Sequence, residues 1–250
     1  MSPLGLLVLL AVAPPGVQGS AASPQQIIFN CRPEDVSGAG LDCPAQSPCP
    51  VFLELNGIDH SASNIVAAGD FHTESATLAS VLVSSTDSGK TWTEPFERMP
   101  LTTLDHVQFA GTEHGWVSGW SGNALPQHPF LLATTDGGKT WRKLPIGDDI
   151  DTGSVAHFRF DSPNVGSLIV DTAGGAHHQL FQTIDGGESW ELQREADRPI
   201  PMPRTSSPPP EPVWRLHADA AAKAYVIEHH AAQGWKPVAR ILLAAGTCSE

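Results

Sequence analysis

The feature that most constrains this chain is an eight-residue pattern that returns at a fixed interval: STDSGKTW from Ser85 to Trp92, TTDGGKTW from Thr134 to Trp141 and TIDGGESW from Thr183 to Trp190. The shared aspartates, Asp87, Asp136 and Asp185, stand 49 residues apart both times (136 − 87 and 185 − 136). A repeat of that length, made of short apolar runs and Gly-rich turns, suits one four-stranded sheet per repeat. Helical repeats run about 33 to 47 residues and carry a 3.6-residue periodicity instead. The period predicts an all-β chain, a β-propeller of about four blades.

Each copy reads as a turn between two strands. In the central one, the Asp136 carboxylate is placed to accept hydrogen bonds from the backbone N–H groups that follow it, and the glycines supply positive φ without a Cβ clash. Trp141 reads as the first large apolar residue of the next strand, with roughly 150 Å² or more to bury. The pattern S/T-x-D-x-G-x-x-W resembles the Asp-box, or bacterial neuraminidase repeat. All fixed positions match: Ser85, Asp87, Gly89 and Trp92; Thr134, Asp136, Gly138 and Trp141; Thr183, Asp185, Gly187 and Trp190. In the families that carry it, the box is a structural hairpin on the blade periphery. The second repeat, with its GWVSG segment and TTDGGKTW, is similar to the photosystem II stability and assembly factor-like propellers, a resemblance that covers about residues 51 to 195. It implies a scaffold for protein partners.

The N-terminus opens with an apolar stretch from Leu4 to Ala13, too short to span a bilayer and suited to a signal-peptide core. Residues 1–22 are therefore read as a signal peptide and the mature protein as soluble and exported. A formal net charge of −13 argues against nucleic acid and anionic membranes as partners. Cys31, Cys43, Cys49 and Cys248 lack zinc-ribbon spacing, and export favours disulfides.

The chain then divides into an N-terminal strand and Cys-rich loop (23–50), three box-bearing blades (51–198), a Pro-rich linker or loop (199–212) and a degenerate fourth blade (213–250). The first blade is expected from strands at 51–58, 64–70, 76–85 and 90–96. The second is expected from 105–111, 115–120, 129–135 and 139–144. The third follows from 156–161, 166–171, 178–184 and 188–193. The last segment offers three strands, 213–219, 223–230 and 235–243, and no box, since the expected aspartate position falls on Gly234. The solitary segment QQIIFN (25–30) needs a partner strand, and an open edge in the last blade needs a strand. Pairing the two brings Cys31 near Cys248 and leaves Cys43 with Cys49.

Chemistry is thinly signalled. Sialidase-type propellers imply a tyrosine nucleophile and an arginine triad, with a carboxylic acid near the scissile bond. The single tyrosine, Tyr225, stands three residues from Glu228, on the opposite face of a strand. No Arg-Ile-Pro motif is present, and 250 − 22 leaves 228 residues, under five repeats. His106 and His157 occupy matching positions, but Val51 and Val213 stand where further ligands would be needed, so no metal and no cofactor is assigned. The reading is an exported, non-catalytic scaffold for a protein partner, with a sialidase-type glycoside hydrolase as the alternative and a glycan as a possible ligand. Trp116 and Trp120, straddling the turn before Asn123–Gln127, are the candidate partner contacts, one of them as an exposed anchor, with a core role for both as the alternative.

Overall fold

The computed structural model describes residues 24–62, 64–122, 128–147, 153–172, 177–204 and 212–249. The signal-peptide reading of residues 1–22, the loop Asn123–Gln127 and residues 205–211 of the Pro-rich run lie outside them.

Strand β1 (Gln25–Ile27) and a short helix α1 (Pro33–Gly38) lead into β2 (Cys49–Ser61), β3 (Asn64–His72) and β4 (Thr77–Ser85). A second group comprises β5 (Thr102–Ala110), β6 (His114–Ser121), β7 (His128–Thr134) and β8 (Arg142–Pro145). The third holds β9 (Gly153–Phe160), β10 (Gly166–Thr172), β11 (His178–Thr183) and β12 (Glu191–Ala196). Then come β13 (Trp214–Asp219), β14 (Ala224–Ala231), β15 (Gly234–Leu242) and β16 (Ala244–Cys248). They hydrogen-bond into four four-stranded sheets, ordered β16-β2-β3-β4, β5-β6-β7-β8, β9-β10-β11-β12 and β13-β14-β15-β1.

Two long-range pairings join the chain ends. Strand β1 lies parallel to β15, with Gln26 opposite Arg240, and completes the fourth sheet. Strand β16 runs antiparallel to β2 and completes the first sheet. This corrects two expectations: Ala244–Cys248 belongs to the first sheet rather than the last, and residues 90–96 form no strand. Only an isolated bridge, Ser84 to Thr93, marks the place of that strand. The segment is held instead by ions. Arg98 Nη1 meets Asp35 of α1 at 2.5 Å, Arg98 Nη2 meets Glu94 at 2.7 Å, and its guanidinium lies 4.0 Å from the Phe71 ring centroid. The disulfides Cys31–Cys248 and Cys43–Cys49 secure the same end of the molecule.

The sheets pack in the order fourth, first, second, third. Leu53, Phe71 and Val81 of the first sheet share a core with Ile227, Ala239 and Ile241 of the fourth. Val66, Ala68 and Leu82 on the opposite face pack with Leu104, Val117 and Leu132 of the second. Trp116 and Leu131 of the second meet Phe160, Leu168 and Phe181 of the third. Because its two faces are both covered, β3 is buried at all but its last residue.

The repeated turns knit neighbours together. A Cβ at Gly89 would collide with Val238 of the fourth sheet, and one at Gly138, where φ is 87°, would crowd Asn64 and Val66 of the first. Asn64 Nδ2 also donates to Gly137 O at 2.6 Å, and Trp116 Nε1 to Gly186 O at 2.8 Å. Each turn thus docks on the preceding sheet. The fourth sheet has lost its turn, and among the described residues its strands make no packing of comparable extent with the third. Ile200 and Met202 of the Pro-rich run cover the third sheet's free face, against Ile169 and Leu180. The fourth sheet's free face is polar, with Arg215 Nε 2.5 Å from Glu228.

Candidate functional site

The aspartates of the three repeated turns share one hydrogen-bond scheme. At the second, Thr134 Oγ1 donates to Asp136 Oδ1 at 2.8 Å, and the Lys139 and Thr140 N–H groups donate to the same oxygen at 2.9 and 3.0 Å. Thr140 Oγ1 donates to Oδ2 at 2.6 Å, and Trp141 Nε1 to Gly138 O at 3.1 Å. Asp87 and Asp185 are held likewise, through Thr91 and Ser189. All three carboxyls are drawn down to about 2: Asp87 chiefly by the Thr91 N–H, Asp185 by the Ser189 hydroxyl, and Asp136 by Thr140 against the opposing effect of burial. Trp141 and Trp190 precede β8 and β12 rather than opening them, and the buried Trp190 Nε1 has no hydrogen-bond partner. Each carboxylate is thus committed to hydrogen bonds within its own turn.

The cavity lies at the other end of the strands. Thr134 pairs with Gly115 at the start of β6, whereas Trp120 is near its end; Ser85 pairs with Ile65 at the start of β3, whereas Asp70 and His72 are at its end. At about 3.3 Å per residue, five residues of strand put roughly 17 Å between the turns and the cavity. It encloses about 580 Å³ between the first and second sheets, and Glu54, Asn56, Asp70, His72, Thr103, Asp105 and Trp120 are on its wall.

Strand register explains the convergence. Glu54 is directly opposite Asp70 across β2 and β3, and Thr103 is opposite Trp120 across β5 and β6. Both inner strands carry a bulge here, at Asn56 in β2 and at Asp105–His106 in β5, one repeat apart. A bulge re-aims side chains. Asn56 Nδ2 donates to Leu104 O at 3.0 Å and ties the two bulges together.

The electrostatics are unusual. Asp70 is 4% exposed, and burial raises its pKa to about 7, with Glu54 and Asp105 adding to the rise and His72 and the Thr103 hydroxyl opposing it. Burial, then Glu54, lifts Asp105 to about 6. Among the described residues no arginine, lysine or histidine forms an ion pair with Glu54, Asp70 or Asp105. Tyr225 of β14 is within electrostatic reach of Glu54 and Asp70; burial first, and these charges with it, raise its phenol, while a hydrogen bond from the Leu55 backbone opposes them.

Of the two tryptophans named as partner contacts, the structure corrects one. Trp116 is 2% exposed, stacked on Phe160 and bonded to Gly186, so it is core. Trp120 is half-buried on the cavity wall. His106 and His157 are close enough that His157 helps burial lower the His106 pKa. No cluster of three or more metal-ligating side chains occurs among the described residues. Sequence reasoning missed Glu54, Asp70 and Asp105. The available signal was a carboxylate, Asp70, following the apolar and small run Ile65–Gly69 of β3, where a doubly covered strand has no place for one.

No family model matches the chain, and no curated protein matches it. Among solved structures it is similar to YCF48 from Cyanidioschyzon merolae, with 20% identity, a TM-score of 0.41 and coverage of 77% of this chain and 58% of that one. It is also similar to YCF48 bound to a D1 peptide, at 20% identity and TM-score 0.40, covering 76% and 56%. A third is the GH74 xyloglucanase from Xanthomonas campestris, at 19% identity and TM-score 0.38, covering 52% and 18%. The chain spans a little over half the length of the two YCF48 structures.

Proposed function

We propose that this protein is an exported, non-catalytic β-propeller scaffold of about four Asp-box-type blades, and that it binds a protein partner at the cleft between its first and second sheets. The observation that carries the reading is the cleft itself: a cavity of about 580 Å³, walled by Trp120 and three carboxylates, on a rigid two-sheet frame. Tryptophans at the edge of such cavities are typical interface anchors. Two disulfides suit an oxidising compartment, and no helix of the described residues is long and apolar enough to cross a membrane. The test is retention of a specific protein from the source organism's envelope fraction on the immobilised chain. Trp120→Ala should abolish it and Asp136→Ala, at the far end, should leave it intact. Equal retention by the Trp120 variant would overturn the reading.

A second reading, a glycoside hydrolase, is favoured by one observation: two cleft carboxyls raised to about 7 and about 6, with Tyr225 nearby. Against it, among the described residues no arginine lines the cleft to hold a sugar carboxylate. Release of fluorophore from 4-methylumbelliferyl glycosides, lost on Asp70→Asn or Tyr225→Phe, would establish it in place of the scaffold.

A further inference from the structure

Building on the cleft as the binding site, we infer that its guest is a cationic side chain, an arginine or lysine presented by the protein partner, seated between the carboxylates of Glu54, Asp70 and Asp105 and the indole of Trp120.

The chain builds this kind of site twice for its own cations. Arg98 lies over the Phe71 ring at 4.0 Å while Asp35 and Glu94 take its guanidinium N–H groups. Arg215 lies 4.4 Å from the Trp235 ring centroid with Glu228 at 2.5 Å. In both, an aromatic face and a carboxylate grip one guanidinium from two sides, a combination of cation–π attraction and charge-assisted hydrogen bonding. The cleft has the aromatic and the carboxylates, and among the described residues no arginine or lysine lines it. Asp70 is the sharpest sign: 4% exposed, on the cavity wall beside His72 and the Thr103 hydroxyl, and among the described residues in no ion pair with an arginine, lysine or histidine. A buried carboxylate left in that condition costs stability, and a cation entering from outside removes the cost.

The opening favours a partner's side chain. The β3–β4 turn, with Ser75 and Ala76, is on the cavity wall. The cavity is open to solvent, and about 580 Å³ is room enough for one long side chain presented by a polypeptide. His72, Tyr225, Glu54 and Asp105 are the titratable groups that face Asp70. Burial raises the pKa of Asp70 and Asp105, and a cation favours their ionised forms, so binding releases protons and strengthens as pH rises from 5 to 8.

The experiment is isothermal titration of the full chain, at pH 8 and pH 5, with acetyl-Gly-Arg-Gly-amide, its lysine and norleucine counterparts, and free spermidine. The expected result is binding of the arginine or lysine peptide at pH 8, weakened about tenfold at pH 5, with none for norleucine. Asp70→Asn and, separately, Glu54→Gln should each weaken it about tenfold, with unchanged circular dichroism. Equal binding of the norleucine peptide, indifference to both variants, or no peptide binding would overturn the inference. Spermidine binding more tightly than either peptide would overturn the protein source. If the peptides fail while Trp120-dependent retention of a partner persists, the scaffold stands and the cationic guest falls; if retention fails as well, both fall.

Discussion

Glu54 and Asp70 face each other across β2 and β3 as direct Cα partners, the first exposed and the second buried, and among the described residues neither is in an ion pair. Burial of Asp70, with the charges of Glu54 and Asp105 added to it, makes the chain's stability depend on pH. The folded-state pKa of Asp70 is raised from 3.8 to about 7. Below pH 3.8 both folded and unfolded chains hold the proton and nothing is lost. Between there and pH 7 the unfolded chain releases it first, so stability falls as pH rises, and above 7 the loss is complete. Asp70→Asn should raise stability at pH 8 by a few kcal/mol, on the order of the shift, and change it little at pH 4. Urea denaturation at the two pH values checks this.

The two tryptophans of β6 should behave differently. Trp116 lies flat on Phe160 with ring centroids 3.6 Å apart and donates to the third repeated turn. Trp116→Ala should lose about 3–5 kcal/mol. Trp120→Ala, on the cavity wall, should lose distinctly less. Similar midpoints for the two variants would contradict the assignment of Trp116 to the core.

Asp136 holds its turn through bonds from Thr134, Lys139 and Thr140. Asp136→Ala should lower the melting temperature by a few degrees, and Asp136→Asn by less, since the amide keeps one acceptor oxygen. Neither should alter binding at the cleft. A thermal scan of both variants measures the difference.

The Cys31–Cys248 bridge spans 217 residues and holds the end of the β1 segment beside β16. In the chain-entropy model a loop of that length stabilises by ~5 kcal/mol, whereas Cys43–Cys49 contributes ~2 kcal/mol. Cys248→Ser should therefore cost more than Cys49→Ser. Peptide mapping without reduction should recover both pairs.

The repeat made the sheets of the second and third groups legible, because identical turn chemistry at 49-residue spacing fixes where strands end. It could not place Ala244–Cys248 or the missing strand at 90–96, because both depend on which chain end reaches the first sheet. Nor could it find the cleft. Glu54 and Asp70 are 16 positions apart in sequence and meet only through register (70 − 54), and Asp105 joins them through a bulge. Local pattern carries periodicity; it does not carry long-range pairing, and the cleft is made of long-range pairing. Trp116 and Trp120 looked equivalent for the same reason: whether an aromatic on a strand faces a filled or an open space is set by the neighbouring sheet.

The most direct test of the cleft as the binding site is photo-crosslinking in the native envelope, with Trp120 replaced by p-benzoylphenylalanine and, as a control at the opposite end of the same sheet, Thr135 replaced likewise. A single protein adduct from position 120 and none from position 135 is the predicted result. No adduct from position 120, or the same adducts from both positions, would contradict it.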